Sequence, residues 1–210
     1  MKKKLFCFDF DDTLVDEDYW FKARWNKTFE LHQSLFTTII IKDFFDIYDL
    51  KGPYYKFHLQ DLSLHHKEIK LSKKQIINTF KSIEVKEILF PEVFNALSRL
   101  SSVPNYKIGI ISNGSYNVLI KRLKHLNIYN FFDTIICDGY MKKPNNESFQ
   151  TIFKNYKDYE LFYIGNDIRL DLIPANENGF KTFLYVKDKT RLNSKYNCFS
   201  DYLSFSNQFL

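Results

Sequence analysis

Near the start of the chain, Phe8-Asp9-Phe10-Asp11-Asp12-Thr13 sets carboxylates two residues apart behind a short apolar run, 5–8. On a strand or its extended exit such residues point the same way. Asp9 and Asp11 then converge while Phe10 points away. Converging carboxylates repel, and they need a proton, a cation or both. Mg²⁺ meets that need, because it prefers oxygen ligands and keeps places for a substrate phosphate. Taken alone, the same residues also read as exposed loop aspartates. Three later segments have comparable chemistry. Ile111-Ser112-Asn113-Gly114 offers a hydroxyl and backbone N–H groups ahead of a helical pattern, which suits an anion and equally a simple helix cap. Lys142-Lys143-Pro144-Asn145 brings positive charge, either to a phosphoryl group or to solvent. Gly165-Asn166-Asp167-Ile168-Arg169-Leu170-Asp171 carries carboxylates four apart, and Asp167 also suits a helix N-terminus.

Each segment follows a short apolar run. Residues 5–8, 107–111, 134–137, 161–164 and 182–186 have the length and composition of buried strands. Helical stripes lie between them: Val93, Leu97 and Leu100; Leu119, Leu123 and Leu126; Phe149, Ile152, Phe153 and Tyr156. Alternating strands and helices predict an α/β fold with a mostly parallel sheet, in which ligands bind beyond the carboxyl ends of the strands. Residues 15–88 break the alternation. Asp16 can cap a helix carrying Phe21, Trp25, Thr28, Phe29 and His32, and Ser72-Lys73-Lys74-Gln75 has the form of a capping box. The expected organisation is a Rossmann-like core of residues 1–14 and 89–190 with helices on both faces, an inserted α-helical segment 15–88, and a polar C-terminal tail 191–210.

Composition excludes several classes. At about 150 residues per domain, 210 residues make one domain with an insert or two small ones. Hydrophobic residues at 45% and charged residues at 26% are those of a folded globular chain, not a disordered one. The net charge of +5 is scattered, with Lys2-Lys3-Lys4 the one basic run, so a nucleic-acid partner is not expected. No stretch is long enough for a membrane span, and the apolar run after Lys4 is too short for a signal peptide. Three separated cysteines fit neither a disulfide framework nor a zinc site. A cytoplasmic protein, monomer or dimer, is expected.

Taken in order, the four motifs resemble those of the haloacid dehalogenase-like hydrolase superfamily. Asp9-Phe10-Asp11-Asp12-Thr13 is similar to its first motif, Ser112 after a strand to the second, Lys143 before Pro144 to the third, and Gly165 to Asp171 to the acidic fourth. The helical insert after the first motif resembles the cap found in small-molecule phosphatases, phosphoglucomutases and dehalogenases of that superfamily. The resemblance implies a Mg²⁺-dependent phosphatase of a small phosphorylated metabolite. Asp9 is then the nucleophile that forms an aspartyl-phosphate, and Asp11 the acid and base. Ser112, Asn113 and Lys143 hold the phosphoryl group. The metal is held by Asp9, the backbone carbonyl of Asp11 and an acid of the fourth motif. An aspartate at position 11 argues against dehalogenation, since halide leaves unprotonated and an alkoxide does not. Asn166 departs from the pattern, standing where the family has an aspartate. The expected ligand is Asp167 with the loop shifted by a residue, Asn166 being the alternative and Asp171 an orienting group behind it. A sugar phosphomutase, or a binding protein with a decayed site, are the competing readings. In the insert, Trp20, Arg24, Tyr54, Tyr55, His58, His65 and His66 are candidates to meet substrate, with Arg24 able to bind a second anionic group.

Overall fold

A computed structural model describes residues 2–52, 57–67, 73–137, 143–191 and 195–210. Ser72, Tyr54, Tyr55 and Lys142 lie outside the described residues. The chain forms two compact units, one of residues 1–16 with 88–210 and one of residues 17–87.

In the first unit the described residues form a parallel sheet of six strands: β1 (Lys4–Phe8), β2 (Tyr106–Ser112), β3 (Thr134–Cys137), β4 (Glu160–Gly165), β5 (Lys181–Tyr185) and β6 (Cys198–Phe199). Their order is β3-β2-β1-β4-β5-β6. Lys4 of β1 lies opposite Tyr106 on one side and Glu160 on the other. Strands therefore spread from β1 in both directions, and the crevice of this topology opens between the carboxyl ends of β1 and β4.

The second unit is helical: α1 (Glu17–Leu31), α2 (Thr38–Lys51), α3 (His58–His65) and α4 (Lys73–Ser82). Thr37 caps α2, its hydroxyl accepting from the Ile40 amide at 3.4 Å. Apolar residues at helical spacing turn inward. Trp25 and Phe29 of α1, Ile40, Phe44 and Tyr48 of α2, Leu59 and Leu62 of α3 and Ile76 of α4 make one core. Phe44 is at its centre, with ring centroids 4.7 Å from Trp25 and 4.8 Å from Phe29.

The sheet buries both faces, as parallel sheets do. On one face Phe6 and Phe8 of β1, Ile108 and Ile110 of β2 and Phe162 and Ile164 of β4 pack under α5 (Val93–Ser101) and α6 (Tyr116–His125). On the other, Leu5, Cys7, Ile111, Leu161 and Tyr163 pack against Phe149 and Ile152 of α7 (Glu147–Asn155) and Ala175 of α8 (Ile173–Glu177). This is the Rossmann-like α/β architecture. Gly109 admits a close approach between strands, because a Cβ there would stand 2.8 Å from Thr134 Cγ2 and 2.9 Å from Cys7 Sγ. The expected C-terminal tail, 191–210, is corrected by the structure. It carries β6 and α9 (Tyr202–Asn207), and Phe199, Tyr202 and Phe205 are buried in the first face's core. Tyr202 and Phe205 share one face of α9 and Phe199 comes from β6, and burying these rings outweighs the polar character of the segment. Among the described residues, no helix is long and apolar enough to cross a membrane.

Candidate active site

β1 ends at Phe8, and Asp9 emerges at the crevice with its amide donating to the Ile164 carbonyl of β4 at 2.8 Å. The Asp9 carboxylate meets Lys143 Nζ at 2.6 Å. Lys143 is 6% exposed and also reaches Asp171 Oδ1 at 2.5 Å and the Tyr163 hydroxyl at 3.0 Å. Tyr163 donates in turn toward Asp171 Oδ1, 3.2 Å away. Asp171 Oδ2 accepts from the Asp167 amide at 3.0 Å. Gly165 makes room for this, since a Cβ there would overlap the Asp171 side chain at 2.4 Å. The result is a buried cluster of two carboxylates, one ammonium and one phenol.

Burial pushes the Asp9 carboxyl up to about 7. Lys143 pulls against that, while the negative charges of Asp171 and Asp11 add to it. Burial alone would lower the Lys143 ammonium, but Asp9 and Asp171 outweigh it and hold the group above its ordinary value. Burial, with the Asp171 charge, raises the Tyr163 hydroxyl well above its ordinary value, so it remains a neutral hydrogen-bonding group.

At the end of β2, Ser112 is buried and its Oγ accepts from the Gly114 amide at 3.2 Å. Asn113, expected among the phosphate-binding groups, has a different side-chain partner. Its amide nitrogen donates to the Lys143 carbonyl at 3.1 Å and its Oδ1 accepts from the Lys143 amide at 2.7 Å. That pair fixes the backbone from which Lys143 reaches Asp9. Asp11 lies beyond Asp9, and its Oδ1 accepts from Arg122 Nη2 of α6 at 2.7 Å.

On the β4 side, Asn166 Oδ1 accepts from the Thr13 hydroxyl at 3.3 Å, so its carboxamide faces the turn that follows Asp9. The sequence favours Asp167 as the acidic metal ligand, and the structure gives its Oδ1 another task. It caps the following helical turn, accepting from the Arg169 and Leu170 amides at 2.7 and 2.8 Å. Asp171 is held by Lys143 and Tyr163. Among the described residues, no three His, Cys, Asp or Glu side chains form a metal cluster. Two residues at the strand exits nonetheless offer oxygen donors, the Asp9 carboxylate after β1 and the Asn166 carboxamide after β4. That donor set fits a hard divalent cation such as Mg²⁺.

Of the candidates in the insert, Trp20, Arg24, His58 and His66 are engaged within the helical unit. The Arg24 guanidinium sits between the Trp20 and Phe80 rings, 4.4 and 4.6 Å from their centroids, and donates to the Lys81 carbonyl at 2.9 Å. Trp20 Nε1 donates to the Val85 carbonyl. His58 stacks on Tyr48, and His66 pairs with Asp43 at 2.7 Å. His65 is exposed at the end of α3.

A family model described as haloacid dehalogenase-like hydrolase matches residues 6–185. The chain belongs to the haloacid dehalogenase-like hydrolase family. Two archaeal proteins named glyceraldehyde 3-phosphate phosphatase are similar to it. That of Methanocaldococcus jannaschii is 28% identical over 202 residues, covering 87% of this chain and 84% of the relative. That of Methanothermobacter thermautotrophicus is 26% identical over 204 residues, covering 90% and 88%. Among solved structures, a putative β-phosphoglucomutase from Thermotoga maritima superposes with a TM-score of 0.73 at 17% identity, covering 99% of this chain and 100% of that one. The putative HAD-hydrolase YfnB from Bacillus subtilis, bound to magnesium, superposes with a TM-score of 0.71 at 17% identity, covering 99% of both.

As a haloacid dehalogenase-like hydrolase, the chain adds three contacts at the crevice that sequence reasoning missed: Arg122 on Asp11, Tyr163 on Lys143, and Tyr202, whose hydroxyl donates to the Thr13 carbonyl. Arg122 stands between Leu119 and Leu123 on the inward stripe of α6, where a charge needs a partner. Tyr163 brings a hydroxyl into a buried apolar strand, which raises the same question. Tyr202 lies outside the residues that the family model matches.

Proposed function

We propose that the chain is a Mg²⁺-dependent phosphatase that hydrolyses small phosphomonoesters through an aspartyl-phosphate on Asp9. The observation that carries this is Asp9 at the β1–β4 crevice with its carboxylate 2.6 Å from a buried lysine and a second aspartate two residues on. In this reading the Asp9 carboxylate forms the new bond to phosphorus as the ester bond breaks. Asp11 gives its proton to the leaving alkoxide, which departs as the alcohol. It then takes a proton from the water that attacks the aspartyl-phosphate, releasing phosphate and restoring Asp9. Lys143 and Ser112 hold phosphoryl oxygens, Asn113 keeps Lys143 in place, and Asp171 with Tyr163 aims its ammonium. Asp9, the Asp11 carbonyl and Asn166 are the proposed holders of Mg²⁺. Bound there, it would neutralise charge on the transferring group.

The substrate is a small phosphorylated metabolite. The two archaeal relatives, named for glyceraldehyde 3-phosphate, make that compound the first to test. The test measures phosphate release from p-nitrophenyl phosphate and a panel of phosphorylated metabolites, with Mg²⁺ or with EDTA. Turnover should require Mg²⁺ and fall by about 10³-fold or more in Asp9→Asn. Turnover in EDTA, or full activity in Asp9→Asn, overturns the reading. Isomer interconversion faster than phosphate release replaces it with a phosphomutase.

A further inference from the structure

Asp11 has a partner in the core that no motif of the sequence contains. Arg122 is 111 positions away, on the helix that begins just after the Ser112 strand end. Its Nη2 stands 2.7 Å from Asp11 Oδ1, and its guanidinium lies over the Phe10 ring, 4.4 Å from the centroid. Phe10 is fully buried in the core. The guanidinium is therefore set by a fixed ring beneath it and by its own planar fork. The Asp11 side chain is 26% exposed and the Arg122 side chain 22%. Neither is deep enough for the pair to matter much to stability, since partly exposed ion pairs contribute little.

We propose that Arg122 is a positioning residue that presents the Asp11 proton to the leaving oxygen of the substrate. This rests on the phosphatase reading above. Guanidinium carries only donors and cannot accept a hydrogen bond. While it donates to Oδ1, the proton of the carboxylic acid is favoured on Oδ2, because a carbonyl oxygen accepts from a cation better than a hydroxyl oxygen does. The ion pair thus chooses which oxygen is the acid and fixes the direction in which it points. When the alkoxide has taken that proton and left as the alcohol, the same contact holds the carboxylate in place to receive the proton of the attacking water. The backbone of Asp11 is held independently, by its bridge to Val15 and by the Leu14 amide on the Phe10 carbonyl at 2.8 Å. Loss of Arg122 therefore frees the Asp11 carboxyl without loosening the turn.

Leaving groups separate this role from a structural one. An alkyl alkoxide needs the proton, whereas p-nitrophenolate leaves without it. The experiment compares kcat/KM, which reports transfer to Asp9 and not the later hydrolysis. The substrates are p-nitrophenyl phosphate and the alkyl phosphomonoester that the wild type hydrolyses fastest in the panel. Arg122→Met should lose on the order of tenfold or more on the alkyl ester, a fraction of what general acids contribute, and less than about twofold on the aryl ester. The loss should fall on kcat, with KM little changed. Arg122→Lys keeps the charge and loses the fork, so it should recover part of the alkyl rate, and it replaces Arg122→Met as the deciding variant if the latter fails to fold. Equal losses on both esters overturn the proposal and leave a structural contact. Faster alkyl turnover also overturns it, as the release of a latch. A wild type inactive on every ester overturns the phosphatase reading itself, a result distinct from either.

Discussion

The buried interior of the helical unit and the buried crevice of the sheet unit follow different rules. In the first, Trp25, Phe29, Phe44, Tyr48, Leu59 and Leu62 pack ring on ring and ring on aliphatic. Each contact is non-directional, so one large apolar side chain can replace another at modest cost. In the second, Asp9, Lys143, Tyr163 and Asp171 are linked by contacts of 2.5–3.2 Å that need particular atoms at particular places. There loss of the one cation leaves two carboxylates unpaired in a poorly solvated site. Volume governs the first region, and charge balance governs the second.

Substitutions of similar size sharpen that contrast. Lys143→Met keeps much of the volume and removes the one ammonium between two carboxylates. It should lower stability by about 3–5 kcal/mol in urea denaturation and abolish phosphate release. Leu62→Met in the helical core, where Leu62 is fully buried, should cost less than about 1.5 kcal/mol by the same measurement. If the two cost the same, the distinction fails. Asp9→Asn should have the smallest effect and the opposite sign. Burial raises the Asp9 carboxyl to about 7 in the folded chain, from an ordinary value of 3.8. Between those values the unfolded chain gives up its proton while the folded chain keeps it, so folding weakens as pH rises. The neutral amide removes that penalty and leaves Lys143 paired with Asp171. In EDTA, Asp9→Asn should therefore be more stable than wild type at pH 8 by on the order of 1 kcal/mol, with the gain fading toward pH 4. A gain that persists unchanged at pH 4 would place its origin outside the Asp9 charge.

Legibility in the sequence divides along the same line. The strands β1 to β5 announce themselves as short apolar runs, and the stripes of α5, α6 and α7 as helical spacing, because burial of apolar surface needs only the right period. The C-terminal segment misled because it is short and rich in polar residues. Tyr202 and Phe205 nevertheless carry the helical spacing that places α9 on the sheet, with Phe199 joining them from β6. Asp9, Asp11, Ser112 and Lys143 were visible as chemistry at strand exits. Asn113 and Asp167 were visible as residues but not in their structural tasks, one clamping Lys143 and the other capping a turn. Arg24 was visible as a cation, and only its position between Trp20 and Phe80 shows how it is held.

An α/β core, a helical insert and an acidic first motif with its serine and lysine counterparts could be read from the chain alone, since those rest on local period and residue type. Only long-range contacts show that Asp171 and Tyr163 hold Lys143, that Arg122 holds Asp11, and that Asn166 meets Thr13 while Asp167 caps the next turn. Hydrogen bonds and ion pairs are short and directional, and their partners here lie as far as 111 and 153 positions apart in the chain. No local pattern records such a pairing until the fold brings both ends to one crevice.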